Sequence, residues 1–526
     1  MTAKTIENNR DVDAARWEVR DFLAELDLRT FLFSDDYRVI ALKGVLLSLM
    51  MLALAGTFGL TFRAELTFPD IQLFGARPYM NLMTLHGMLM VFGFLIPFVI
   101  SLCYYVMPRV LGTEKLEWPA LAHASWWLLV VAAVLLIIGR PDFTWTFYAP
   151  MSLRVGGPLV WMGYLAIALV AISEFLAGLV LLKSAVKWSG SLRDWPLMGW
   201  GMMTQGIMLL FSTPALALVG LILLTDWLQL TAVFDPSRGG STTTFLWLFW
   251  FYGHPAVYLP LVPAISLVYT LLPRFLARPL WSKISAIVAF ITLLVLSFGV
   301  FHHHFQPAVN VHTWVQRFFQ IMTLLIFIPS TLHVFNWVAS LFEGPIPDEG
   351  RRAVPFKFLM GSIFFIILGG VVGYINAQIA INTEFIHNTY WIPGHFHAMF
   401  LGFCAQVGMA AVYYLYPYWT GRMYNQRLAN LHFWLWQVGI FGQVMTMYAL
   451  GYAFFPRWVV DYLPIPIWST LQFWLTASVV LVGLGFLVMA WNLLRSYRHG
   501  EVVQGDPWTI RPAAAPQPQP VPAPGE

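Results

Sequence analysis

What most constrains this chain is how often it repeats an apolar run long enough to cross a bilayer. ISAIVAFITLLVLSFGVF, residues 284–301, is one such run. Crossing a hydrocarbon core takes about 20 residues, and about twelve runs of that kind can be counted. They fall near 40–62, 80–108, 119–139, 158–183, 199–225, 243–273, 283–303, 316–342, 356–381, 394–417, 431–455 and 468–494. Lipid offers backbone groups no partner, so uninterrupted runs of this length fold as helices rather than barrel strands. Composition agrees. The chain is 59% hydrophobic and 11% charged, against about 25% charged in a soluble domain, and its mean hydropathy is +0.68. The expected fold is all-α: a polytopic membrane bundle of about twelve transmembrane helices over residues 40–495.

The loops set an expected topology. Lys115, Lys183, Lys187, Arg193, Arg274, Arg278, Lys283, Arg351, Arg352, Lys357, Arg422 and Arg427 lie in alternate loops, while the opposite loops carry fewer cations, among them Arg63, Arg77 and Arg140. The positive-inside bias then places both termini in the cytoplasm. The net charge of +4 follows from those loops and is no sign of nucleic-acid binding. The first residues, MTAKTIENNRD, lack the apolar core of a removable signal peptide. Within the N-terminal segment 1–39, ARWEVRDFLAELDLRTFLF (15–33) mixes apolar and charged residues as an interfacial helix does. Residues 496–526 form a cytoplasmic tail that ends in PAAAPQPQPVPAPGE, a low-complexity composition expected to be disordered. Cys103 and Cys404 both fall inside runs and read as small buried hydrophobes, with no disulfide frame or thiolate metal centre between them.

The thirteen histidines are not scattered. His123, His432 and His499 lie at run ends or in the tail, and His312 and His387 lie in or near loops. The others sit inside runs: His86 in the second, His254 in the sixth, His302, His303 and His304 closing the seventh, His333 in the eighth, and His395 and His397 opening the tenth. One intramembrane histidine is often a hydrogen-bonded structural residue. Several, some of them adjacent, point to metal, for which neutral imidazole is the commonest protein ligand.

Spacing says how many centres to expect. His395 and His397 are two apart, so at about 100° per residue they face nearly opposite sides of a helix and serve different centres. His86 facing one of them gives two axial ligands, a closed haem suited to electron transfer; the other holds a second haem with one face open. His302 and His303, neighbours at a helix end, can join His254 as three nitrogens with an open position. That set suits copper or another late first-row metal, and counting does not exclude zinc or non-haem iron. His304 is a spare, and the sequence leaves open which two of the three bind. Tyr258 lies one turn from His254 on the same face, where a phenol can give a proton and an electron to bound substrate. A tyrosine anchoring a helix in the membrane interface is the plainer alternative in isolation, but Tyr258 falls well inside its run.

Together the motifs LHG (85–87), HPAVY (254–258), HHHF (302–305) and HNTYWIPGHFH (387–397) resemble those of subunit I of the haem–copper oxygen reductases. The resemblance implies that His86 and His397 bind a low-spin haem and His395 a high-spin haem. It implies copper on His254, His302 and His303, with His304 as the variable position of the HHxF pattern. Tyr258 matches the family's tyrosine joined to the first copper ligand, and Arg457 matches the first of two arginines on the haem propionates; Trp458 replaces the second. Ala256 in place of the glutamate of HPEVY, and the PGHFH wording, look like the B-type branch, in which one proton channel leads to the tyrosine. Tyr269, Ser330, His333 and Asn336 fall near that channel's positions, and each also reads as an interhelical hydrogen bond.

The resemblance further implies reduction of O2 to water with proton translocation in a prokaryotic cell membrane. It implies two haems of A or B type, one copper ion, a subunit II with a dinuclear copper centre, further small membrane subunits, and cytochrome c, another small donor or a quinol as electron source. A nitric oxide reductase is the nearest rival, but that site takes a nearby glutamate and no tyrosine in HPxVY. A haem-free proton-relay transporter is the rival from another class, and it leaves the split geometry of His395 and His397 without a purpose.

Overall fold

Each apolar run of the sequence is helical over most of its length in the computed structural model, which describes residues 27–308 and 311–510. Ten helices of the described residues are long and apolar enough to cross a membrane. They are α1 (Tyr37–Glu65), α2 (Ala76–Leu111), α3 (Pro119–Gly139), α4 (Trp161–Ala185), α5 (Leu197–Trp227), α6 (Thr242–Leu276), α8 (Thr313–Phe342), α9 (Val354–Asn376), α10 (Trp391–Thr420) and α12 (Pro466–His499). Two more complete the expected twelve positions. Helix α7 (Lys283–Ser297) has only 15 residues. Helix α11 (Gln426–Tyr452) has 27 residues, but Gln426, Asn430, His432, Gln437 and Gln443 dilute its apolar character.

Burial orders the bundle. The apolar windows of α2, α6 and α10 are 89%, 89% and 83% buried, against 17% for α12 and 28% for α8. The three central helices are therefore α2, α6 and α10, and these carry His86, His254, His395 and His397. The outer helices present Leu, Ile, Val and Phe side chains outward, as lipid-facing surfaces do.

Two of the central helices change pitch beside their histidines. Helix α2 widens to a π-helical stretch at Leu89–Leu95 after His86. Helix α10 does the same at Ala398–Ala405 directly after His397. The two stretches touch. Such π segments inside α-helices are frequent at functional sites, because they re-aim the side chains before and after them.

The seventh run differs from its sequence expectation. The helix stops at Ser297, and the chain then makes a 3-10 turn over Phe301–His304. The tail also departs from expectation, since residues 500–510 are not loose. Strand β1 (Arg422–Met423) pairs antiparallel with β2 (Glu501–Val502). Trp508 is buried and donates its indole N–H to the Tyr414 carbonyl at 2.9 Å, while Asp506 pairs with Arg274. Residues 511–526 lie outside the described residues, as do residues 15–26 of the expected interfacial helix. The described remainder of that segment is a short helix, Leu28–Phe33, capped by Asp27.

Candidate metal and cofactor site

One cavity of about 830 Å³ opens between the central helices, near the upper end of the usual range for ligand sites. Its wall includes His86, His254, His303, His304, His395 and His397, together with Tyr258, His387, Arg63 and Arg457. The sequence placed these residues in several runs and the loops between them; the fold brings them to one space.

His86 is aimed by its neighbours. Its Nδ1 lies 2.8 Å from the Ala55 carbonyl of α1. A carbonyl only accepts, so Nδ1 carries the proton and the Nε2 lone pair is left free. His397 repeats the pattern on α10, with Nδ1 2.7 Å from the Pro393 carbonyl. A carbonyl on the far nitrogen is what fixes the tautomer and orientation of a metal-binding imidazole. Gly59 of α1 makes room for His86, since a Cβ there would sit 2.7 Å from the ring Nδ1. We expect Gly59→Ala to displace His86 and to weaken any haem held by it, read as a lost share of the low-spin absorption band in purified protein. His395 faces α9, where a Cβ on Gly373 would come within 3.2 Å of the ring and the Gly369 backbone lies within reach of it.

The copper set expected from the sequence and the set of histidines that converges in the structure differ at one residue. The nitrogens that converge belong to His254, His303 and His304, all within 4.8 Å of one another. His254 Nδ1 lies 2.9 Å from His304 Nε2, which lies 3.1 Å from His303 Nε2. His302 is not in the cluster. Consecutive residues of a 3-10 turn, at three per turn, point about 120° apart, so three adjacent histidines cannot all face α6. His302 turns instead into an aromatic box. It stacks on Phe319 at 5.0 Å and meets Phe305 and Trp247 at 4.7 and 5.5 Å. His304, the expected spare, lies flat on Trp250 of α6, with centroids 3.9 Å apart and planes 4° from parallel. His303 is fixed through Nδ1, 3.1 Å from the Thr323 hydroxyl. That hydroxyl already donates to Phe319, so it accepts from Nδ1 and leaves Nε2 free.

These residues fit a metal ion. Three ring nitrogens this close can share few hydrogens among themselves, whereas one cation satisfies all three lone pairs. His254 Nε2, on the other side of its ring, is buried and unpartnered, and Tyr258 packs edge-on against that ring at 4.9 Å.

Arg457 fits an anionic group in the cavity. The segment before α12 is bound to the loop before α10: Tyr390 N–H donates to Phe455 and Arg457 N–H to Asn388, each at 3.0 Å. This holds the guanidinium over Trp458 at 4.0 Å, with Nε buried and without a partner. Burial pulls Arg457 down to about 10, which leaves it cationic at neutral pH. His387 beside it is held down at about 3 by burial and then by that cation, so it is neutral.

Of the residues expected near a proton channel, three meet. Tyr269 hydroxyl lies 2.8 Å from His333 Nδ1 and 3.5 Å from the Asn336 amide, which donates to the Ser282 carbonyl at 2.6 Å. Ser282 caps α7 beside the cation-rich loop of Arg274, Arg278 and Lys283. Ser330 stands apart from that network. It lines the cavity and bonds back to Ile326 of its own helix.

Sequence reasoning missed Arg63, Trp250 and Thr323. Arg63 had been counted among loop cations, one residue past the first run. It is buried, lines the cavity and bonds to Gln472 and the Tyr390 hydroxyl.

Comparison with known proteins matches this picture. The family described as "Cytochrome C and Quinol oxidase polypeptide I" matches residues 39–484. Cytochrome c oxidase polypeptide 1 of Halobacterium salinarum is 32% identical over 87% of this chain and 78% of its own. Cytochrome c oxidase subunit 1 of Synechocystis is 30% identical over 91% and 87%. Quinol oxidase subunit 1 of Bacillus subtilis is 28% identical over 90% and 74%. The fold is also that of a heme-copper terminal oxidase dimer solved by cryo-EM, with a TM-score of 0.76, 22% identity, and 92% and 88% of the two chains covered. Bundle, histidines and relatives agree that this chain belongs to the cytochrome c and quinol oxidase polypeptide I family, the multi-pass membrane oxidoreductases that use haem and copper to reduce oxygen.

Proposed function

We propose that this chain reduces O2 to water at a haem–copper pair and couples the reaction to proton movement. In this reading His86 and His397 hold a low-spin haem, His395 holds a high-spin haem, and His254, His303 and His304 hold one copper ion. The observation that carries it is the convergence of three imidazole nitrogens on the wall of the cavity that the haem histidines also line. When bound, the haems and copper supply the electron transfer and oxygen chemistry.

The chain's own part is to place, hold and exclude. Ala55 and Pro393 carbonyls and the Thr323 hydroxyl keep Nε2 of His86, His397 and His303 free for metal. Tyr258 holds a hydroxyl proton within the same cavity wall. Arg457 supplies a half-buried cation for haem carboxylates. A dry wall of Leu, Ile, Val and Phe keeps bulk water from these groups. Protons enter from the cation-rich face by Ser282, Asn336, Tyr269 and His333, with Ser330 at the cavity end. Tyr269→Phe is expected to slow turnover several-fold with haem and copper content unchanged; an unchanged rate would remove this route.

The cation-rich loops support cytoplasmic termini in a prokaryotic cell membrane. The chain has no thiolate pair for a dinuclear copper centre, which supports a separate subunit bearing one. Cytochrome c or a quinol is the donor, as the relatives' names suggest for each in turn. Ala256 in HPAVY, together with PGHFH, supports the B-type branch, and the lack of an acid there favours oxygen over nitric oxide. Oxygen-electrode turnover with cytochrome c and with a quinol, compared with nitric oxide consumption, tests this reading.

A further inference from the structure

The proton route above leaves one buried mid-span acid without a use. Glu174 lies at the middle of α4, in the apolar stretch LVAISEFLAGLV, and is 6% exposed. Among the described residues it is the one Asp or Glu at mid-span. Glu65 and Asp226 close α1 and α5, and Asp226 is bonded to Thr231 and to the N–H groups of Val233 and Phe234 as a loop clasp. Glu174 has a different setting. The Tyr252 hydroxyl of α6 donates to its Oε2 at 2.8 Å, and no Lys, Arg or His pairs with it among the described residues. An unpaired carboxylate at that depth is costly, whereas a neutral carboxylic acid bonded to a phenol is not. A structural role would be served by Gln without that cost.

Placement ties the acid to the oxidase site. Tyr252 is two residues before His254 and so lies about 200° around α6 from it, away from the cavity wall. Glu174 and the copper candidates therefore face opposite sides of one helix. Two further polar contacts lie on the α3–α4 side, separate from Tyr269 and His333. Ser173 donates to the Ser125 carbonyl of α3 at 2.6 Å. Nearer the α3 start, His123 Nδ1 lies 2.7 Å from the buried Lys43 ammonium.

We propose that Glu174 is a proton-holding residue of this oxidase, taking up and releasing a proton as the metal centres change charge. The step moves one proton between the Glu174 carboxyl and water, with no bond to carbon broken and no electron transferred at Glu174. It rests on the oxidase reading, and two measurements keep the failures apart. The wild-type protein in vesicles, driven by its electron donor, tests the reading by whether protons move at all.

Glu174 itself is tested by reduced-minus-oxidised infrared difference spectra of the assembled oxidase. The expected result is a protonated-carboxyl C=O band that shifts in D2O, is lost in Glu174→Gln, and persists at a shifted position in Tyr252→Phe. Protons moved per electron fall in Glu174→Gln and recover in Glu174→Asp, with both haem spectra intact. A difference spectrum and proton ratio identical in wild type and Glu174→Gln would overturn the proposal. Should Glu174→Gln fail to assemble, Tyr252→Phe decides: a displaced carboxyl band supports the assignment, and an unmoved or absent one overturns it.

Discussion

His304→Ala is expected to strip copper from the purified protein, whereas His302→Ala is expected to keep it. The two residues are neighbours in one short 3-10 turn, so composition and local sequence treat them alike. Geometry separates them. His304 Nε2 sits between His254 Nδ1 and His303 Nε2, at 2.9 and 3.1 Å, and the Trp250 face holds its ring in that position. Removing an outer-shell partner of a metal ligand already costs roughly 10–100-fold in affinity, so loss of one of three ligands should cost at least that. His302 contributes packing instead. Its ring fills a box of Trp247, Phe305 and Phe319. Truncating a buried ring of that kind costs on the order of 3 kcal/mol through the cavity left behind. Metal analysis of both variants, with a melting curve of each, checks the pair. Copper lost from His302→Ala and retained in His304→Ala would reverse the assignment.

The second large effect is expected at α10. His397→Ala should abolish the low-spin haem and leave the high-spin haem and copper bound, while His395→Ala should do the opposite for the two haems. The two histidines are two residues apart and face different parts of the cavity. His397 shares the arrangement of His86: each has Nδ1 committed to a backbone carbonyl of its surroundings and Nε2 free. His395 faces α9 instead, with its ring against Gly373 and the Gly369 backbone. Two matched, pre-oriented imidazoles suit a closed six-coordinate haem, and a lone one suits a haem with an open face. Reduced-minus-oxidised and carbon monoxide difference spectra separate the two. Loss of carbon monoxide binding in His397→Ala with the low-spin band intact would exchange the roles.

Much of this was legible in the residues, because the constraints are coarse. Each helix announces itself by about 20 apolar residues, and buried histidines are conspicuous among Leu, Ile and Phe. What was not legible depends on backbone detail that the 3.6-residue period hides. The π stretches at Leu89–Leu95 and Ala398–Ala405 shift the facing of their helices without any break in the apolar pattern. The seventh run reads as continuous through Phe301, yet its helix ends at Ser297. With the turn that follows unknown, no wheel could say which of three adjacent histidines face α6. Arg63 was misread because a run boundary is uncertain by a residue or two. Residues 500–510 were read by the composition of the tail beyond them, although Trp508 is an anchor seeking a partner for its N–H. Glu174 was legible, since a lone acid in an apolar run is a functional signal in its own right, but the histidines drew the reading elsewhere.

The most direct measurement is the cofactor content of the purified chain: haem by pyridine haemochrome spectra and copper by elemental analysis, each per polypeptide. Two haems and one copper per chain is the predicted result. A chain with a single haem, with no copper, or with no haem absorbance at all would contradict the convergence of these histidines on two porphyrins and a metal ion.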